Sequence, residues 1–276
     1  MRARFLDIGG LGTRILEAGR GDKLLLLHPV GFSGDVWFRT LPVLAERHSV
    51  CAPDMLGHGF SALYDRTGRI GHGPVLDHVA ELVDTLGWDR FAVAGSSFGG
   101  LIAGLLALRW PDRVSRLMII GSGSAVQPPA ETEKSLAATL ANGGAALDDP
   151  SWTTCRRRLG NLCFDPAAAH DELLLAQLSS YAREGAAAAY RALLAAMIDP
   201  VRNAPYRLWG RFGEIAMPTL LLWGRQDPRA GLAWAEAAAD QIPNARLVTM
   251  DHCGHLPFLE HPAAFNRVAA EFFAAS

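Results

Sequence analysis

Short runs of Val, Ile, Leu and Ala recur along this chain, separated by segments long enough for a helix. The runs lie at 4–8, 13–17, 24–28, 49–52, 91–94, 117–121, 219–223 and 246–250, and those at 24–28, 91–94, 117–121 and 219–223 are apolar at consecutive positions, not alternate ones. Continuous hydrophobicity over so few residues marks a parallel strand buried on both faces, because the helix connecting it to the next strand lies across the sheet. The segments 36–47, 73–86, 98–110, 231–241 and 262–274 carry apolar residues at helical spacing and supply those connections. Gly9, Gly10 and Gly12 separate the first two runs, which suits an antiparallel hairpin at one edge. The expected fold is α/β: an eight-stranded, mostly parallel sheet with helices on both faces.

Between 123 and 213 the alternation stops. The sequence there is Ala-rich and helical, punctuated by Pro128-Pro129, Gly143-Gly144 and Pro150, with helices expected at 171–183 and 186–197. Such helices cannot bury their apolar faces alone. The expected organisation is a core formed by 1–123 and 213–276, with 124–212 as a helical cap (lid) over the carboxyl edge of the sheet. A length of 276 residues suits one large domain with such an insertion.

A net charge of −2 provides no basic surface for nucleic acid. No segment approaches the roughly 20 apolar residues of a membrane span, so no membrane partner is expected and cytoplasmic residence follows. The four cysteines form no CxxC pair and read as reduced, mostly buried thiols. No His or Cys cluster has metal-ligand spacing, and neither a metal nor another cofactor is expected. The expected partner is a small-molecule substrate; a homo-oligomer is compatible with the composition.

The chemistry concentrates at Gly95-Ser96-Ser97-Phe98-Gly99, which follows the apolar run 91–94 and opens the helical segment 98–110. A sharp turn there lifts Ser97 above the sheet, and a side chain at Gly95 or Gly99 would collide with its neighbours. Ser97 is the candidate nucleophile; Ser96 reads as structural. A serine hydroxyl needs a base within hydrogen-bond reach. His255 lies in the loop after the last strand, at the edge where Ser97 emerges, with His252 its nearest rival; His48, His78 and His170 fall on predicted helices or their ends. The acid that holds the imidazole should lie on another post-strand loop. Asp227, in Gly224-Arg225-Gln226-Asp227-Pro228, meets that need, whereas Asp251 suits a local turn and the loop after 117–121 has no acid. The order Ser97, Asp227, His255 is the one expected of this strand arrangement.

Acyl chemistry also needs donors for the developing oxyanion. The Phe98 N–H is one. The other should come from the loop His28-Pro29-Val30-Gly31-Phe32, where Pro29 has no N–H and Val30 is the best remaining donor. His28 either orients that loop or is a packed core residue. Trp37, Phe98, Trp152, Met197, Trp209, Leu256 and Phe258 are candidates for the wall of a pocket that takes an apolar acyl or aryl group, with ordinary core packing as the competing role.

With these pieces placed, the whole chain resembles the α/β-hydrolase superfamily. Asp54-Met55-Leu56-Gly57-His58-Gly59-Phe60-Ser61 is similar to the family's D-x-x-G-x-G-x-S turn, and the stretch 253–262 to its histidine segment. The region from Gly99 to Phe265 is similar to the meta-cleavage product hydrolases, which split carbon–carbon bonds in vinylogous diketones; Pro150-Ser151-Trp152 and Asp171-Glu172-Leu173-Leu174 carry that likeness. Those enzymes usually have a Trp directly after the catalytic His, where this chain has Leu256. Their cap Arg that engages the substrate carboxylate aligns here with Gln177, and their Gly-rich oxyanion loop with Pro29-Val30. A buried anion without a cation is costly to desolvate. The expected activity is therefore a serine hydrolase cleaving a small apolar or aromatic carboxylic ester or lactone through an acyl-enzyme. Carbon–carbon hydrolysis is the alternative, and a cofactor-free lyase or peroxidase, or a small-molecule-binding protein, is the reading from another class.

Overall fold

Residues 1–274 are described by a computed structural model; positions 275 and 276 of the expected core segment lie outside the described residues. The eight apolar runs form β1 (Arg2–Ile8), β2 (Leu11–Ala18), β3 (Asp22–Leu27), β4 (His48–Pro53), β5 (Phe91–Ser96), β6 (Val114–Ile120), β7 (Thr219–Gly224) and β8 (Ala245–Met250). They make one sheet in the order β1-β2-β4-β3-β5-β6-β7-β8. β2 pairs antiparallel with both β1 and β4, and every other pairing is parallel. Every residue of β5 and β7 is buried, as helices on both faces require. The edge strand β1 is mostly exposed, and its Arg2 and Arg4 pair with Glu17 across the hairpin. Such a charged rim discourages edge-to-edge association.

Helices His72–Thr85, Phe98–Arg109, Leu232–Ala239 and Pro262–Ala274 match their expected segments to within two residues. The segment 36–47 does not form one helix. A 3₁₀ turn over Gly34–Trp37 and a separate turn over Leu41–Leu44 replace it. Pro42, which lacks an N–H, can sit only in the first turn of a helix, so a new helix starts there.

Between β6 and β7 lie the long helices Pro129–Asp148, Trp152–Gly160, Asp171–Tyr181 and Ala186–Ile198. Their inner faces, including Leu136, Leu159, Leu174 and Leu194, join the same hydrophobic cluster as the sheet. The helix 129–148 runs through Gly143-Gly144 without a break. All four cysteines are free and buried. Among the described residues no helix is long and apolar enough to cross a membrane.

The turn after β4 explains its own motif. Asp54 is fully buried and its carboxylate accepts the N–H of Gly34 at 2.7 Å and of Phe60 at 2.8 Å. Arg14 lies 3.2 Å from Asp54 and makes a bidentate pair with Asp35 at 2.6 and 2.8 Å. The Ser61 hydroxyl accepts the Arg14 N–H at 2.9 Å. β2, β4 and the loop after β3 are thereby tied together through one carboxylate. Removing it leaves two buried N–H groups and a guanidinium without their partner. Asp54→Ala should therefore destabilise the protein by about 3 kcal/mol in urea melts with an unchanged slope; a loss below about 1 kcal/mol would refute this role.

Candidate active site

Ser97 follows β5 with φ +52° and ψ −119°, a conformation L-residues rarely adopt. The strain is held by hydrogen bonds on both sides: Ser97 N–H donates to the Ile120 carbonyl at 2.9 Å, and the Ser122 hydroxyl donates to the Ser97 carbonyl. A Cβ at Gly95 would lie 2.0 Å from the Gly99 carbonyl oxygen, and one at Gly99 would lie 2.3 Å from that of Leu27. The strand–helix junction thus has room for no side chain at either position.

His255 stands on the loop after β8. Glu260, five residues further on, folds back and accepts the N–H groups of Gly254 at 2.9 Å, Leu256 at 3.1 Å and Phe164 at 2.6 Å. The His255 N–H itself donates to the Leu162 carbonyl at 2.8 Å. On the loop after β7, Asp227 accepts the N–H of Arg229 at 2.7 Å and of Ala230 at 3.0 Å. Its other oxygen receives His255 Nδ1 at 2.9 Å, with both side chains almost wholly buried. Nδ1 donating to a carboxylate leaves Nε2 as the acceptor, the tautomer able to take a proton from a hydroxyl. Asp251 is instead engaged by exposed Arg225 at 2.5 Å. His252 is exposed, its ring packed edge-on against Phe164.

Ser97, Phe98, Val30 and His255 line one cavity of about 50 Å³ between the sheet edge and the inserted helices. His28 is fully buried and bridges two loops. Its Nε2 accepts the Met55 N–H at 2.9 Å, and its Nδ1 donates to the Pro29 carbonyl at 2.8 Å. Burial, reinforced by neighbouring His58, holds its pKa well below the ordinary histidine value.

The wall of this cavity differs from the expected one. Met197 lines it. Trp209 lines an adjoining apolar cavity that shares Met197, Ser124 and Thr132 with the first. Trp37 and Phe258 pack against each other in the core, their ring centroids 4.4 Å apart and their planes tilted by 42°. Leu256 is fully buried away from the cavity, and Trp152 is 40% exposed on the outside of its helix. Large apolar side chains obey the same burial rule in a core as in a pocket wall, so sequence could not separate the two. Gln177 is buried behind the loop after β3, its Nε2 3.5 Å from the Gly31 carbonyl oxygen, and is not among the residues that line the cavity.

Two residues that do line it, Arg158 and Arg229, were not anticipated. Ser151 caps helix 152–160 by accepting the Thr154 N–H. The helix then buries Cys155, Arg158 and Leu159 while Arg156 and Arg157 face solvent. The i, i+3, i+4 spacing of these three was a legible signal, masked by the apparent charge run. Arg158 is 3% exposed, donates from Nη2 to the Val30 carbonyl at 3.1 Å, and has no partner for Nε or Nη1. Arg229 Nε is likewise buried without a partner. Burial, and then the charge of Arg158, lower the pKa of Arg229. Among the described residues no Asp or Glu lines the cavity.

A family model described as the alpha/beta hydrolase family matches residues 24–268. The chain belongs to the alpha/beta hydrolase family. The 2-hydroxymuconate semialdehyde hydrolase of Pseudomonas sp. strain CF600 is 31% identical to this hydrolase, over 98% of this chain and 93% of its own. The 2-hydroxy-6-oxo-6-phenylhexa-2,4-dienoate hydrolase of Burkholderia cepacia is 29% identical over 94% and 90%. A solved meta-cleavage product hydrolase, CumD, is 25% identical and superposes with a TM-score of 0.81 over 98% of this chain and 97% of its own.

Around the hydrolase's cavity, His58 and His72 both pack on Phe98, and burial pushes each pKa down to about 4; burial does the same to His78. Unfolded, these rings titrate near 6.5. Between those values the unfolded chain binds protons that the native state refuses, so stability is complete above pH 6.5 and falls toward pH 4, by up to about 1.4 kcal/mol per pH unit per ring. The urea midpoint should drop clearly between pH 7 and pH 5; a flat profile would contradict the buried, neutral assignment.

Proposed function

We propose that this hydrolase cleaves the carbon–carbon bond beside the ketone of a 2-hydroxy-6-oxo-dienoate-type vinylogous diketone, with Ser97, His255 and Asp227 as its catalytic triad. The observation that carries the reading is a pair of guanidinium groups with buried nitrogens left without a partner, Nε and Nη1 of Arg158 and Nε of Arg229, beside a cavity that also holds Ser97 and His255 and, among the described residues, is lined by no acid. Gln177 at the aligned position had argued against an anionic substrate; a cation supplied from helix 152–160 and from the loop after β7 removes that objection. A carboxylate held by these two groups meets the charge that desolvation would otherwise leave uncompensated.

In the proposed reaction His255 takes the Ser97 proton as Oγ adds to the ketone carbon, while Asp227 steadies the imidazolium. The N–H groups of Val30 and Phe98 receive the oxyanion. When the oxyanion collapses, the carbon–carbon bond breaks. The substrate reaches this step as its keto tautomer, the 2-hydroxyl proton having moved to C5, so the electron pair freed at C5 passes through the C3=C4 bond to the 2-oxo group, and the resulting dienolate oxygen takes the proton from His255. Water, deprotonated by His255, then adds to the acyl-enzyme and releases the carboxylic acid. The same apparatus would hydrolyse a carboxylic ester or lactone, the second reading, which the apolar wall of Leu136, Leu162 and Met197 favours.

Comparing kcat/KM for 2-hydroxy-6-oxo-6-phenylhexa-2,4-dienoate and p-nitrophenyl butyrate separates the two. The ratio of dienoate to ester should fall by about 10- to 100-fold in Arg158→Gln and in Arg229→Gln, since each removes a charged hydrogen-bond donor to the carboxylate. Any loss common to both substrates cancels in that ratio. A wild type that prefers the ester, or a ratio unchanged in both variants, would overturn the proposal.

A further inference from the structure

Val30 stands at the second position of a turn closed by Phe32 N–H donating to the Pro29 carbonyl at 3.2 Å. Gly31, at the third position, has φ +72°, whereas Val30 is not among the residues with positive φ, which makes this a type II turn. Types I and II differ by a flip of the central amide, so the turn keeps its geometry only if its amide planes are held.

Three successive planes are held, from two directions. The peptide Pro29–Val30 is trans, so its N–H points opposite to the Pro29 carbonyl that His28 anchors at 2.8 Å. The next two carbonyls are gripped from the inserted helices: Arg158 donates to Val30, and the buried Tyr181 hydroxyl donates to Gly31 at 2.8 Å. A Cβ at Gly31 would lie 2.6 Å from Arg158 Nη2 and 2.9 Å from the Tyr181 oxygen, so the contact is close as well as polar. Burial raises the Tyr181 pKa, keeping its proton in place for donation.

We propose that Tyr181 is a positioning residue for the oxyanion site: its hydroxyl, carried on helix 171–181, fixes the turn that presents the Val30 N–H. The inserted helices thus set the rate of the chemical step as well as covering the cavity. This rests on Ser97 as the nucleophile and the Val30 N–H as an oxyanion donor. Tyr181 does not itself line the cavity; its ring packs under the Arg158 guanidinium at 5.5 Å, a contact that Phe would keep, and its hydroxyl acts on the turn through the Gly31 carbonyl.

Tyr181→Phe keeps the ring and removes one donor. Steady-state kinetics with both the dienoate and the p-nitrophenyl ester should show kcat lower by about tenfold and KM within about twofold of wild type. The Kd for phenylboronic acid, whose serine adduct mimics the tetrahedral intermediate, should weaken by the same factor as kcat. Binding of benzoate, which forms no such adduct, should not change. Unchanged kcat and boronate affinity would overturn the proposal, and so would a loss confined to KM or to the melting temperature. An ester-only wild type would displace the dienoate reading and leave the Tyr181 comparison intact, because both substrates pass through the oxyanion. Activity retained in Ser97→Ala would sink both.

Discussion

Holding a serine at φ +52° at the end of a buried strand is the constraint on which the rest of the site depends. Such a residue costs on the order of 1–3 kcal/mol and persists only where its surroundings over-determine it. Here β6 supplies the acceptor for its N–H, the turn after β6 supplies the donor for its carbonyl, and two glycines supply the clearance. The consequence is a hydroxyl lifted out of the sheet at the carboxyl ends of the parallel strands, where the loops after β3, β7 and β8 also arrive.

Each of those loops is fixed by a buried or half-buried polar group that the local sequence conceals. Asp54 ties the turn after β4 to the loop after β3, and the Met55 N–H then fixes His28, which orients Pro29-Val30. Glu260 gathers three backbone N–H groups and so shapes the histidine loop. Asp227 turns its own loop through Arg229 and Ala230 before it reaches His255. Buried, fully satisfied networks of this kind define one geometry and resist slippage. Arg158 and Arg229 depart from that pattern, since both line the cavity and each has a buried guanidinium nitrogen without a partner. An account in which the substrate brings the missing negative charge explains why such groups are tolerated.

The architecture was legible because parallel strands buried on two faces leave runs such as Leu24 to Leu27 and Leu220 to Trp223, and because Pro and Gly mark their ends. That Ser97, Asp227 and His255 come to one edge was legible for a related reason: each follows a strand, and the carboxyl ends of parallel strands share one edge of the sheet. Local chemistry overrode periodicity at Pro42, which divided an expected helix in two. The cavity wall was not legible. Trp37 and Phe258 are hydrophobic enough for either a pocket or a core, and only tertiary packing placed them together in the core. Arg158 was hidden within an Arg-Arg-Arg run that reads as a solvated face, and Arg229 within a turn whose depth below the inserted helices no local pattern encodes. Gln177 was assigned by alignment to a family position whose task, in this chain, the proposal gives to another helix.

The central claim is that Ser97 is nucleophilic because His255 activates it. The most direct measurement is reaction of the protein with a fluorophosphonate, followed by peptide mass mapping. The account predicts a single stoichiometric adduct on the peptide containing Ser97, lost in His255→Ala. Labelling at any other residue, no labelling at all, or full labelling without His255, would contradict it.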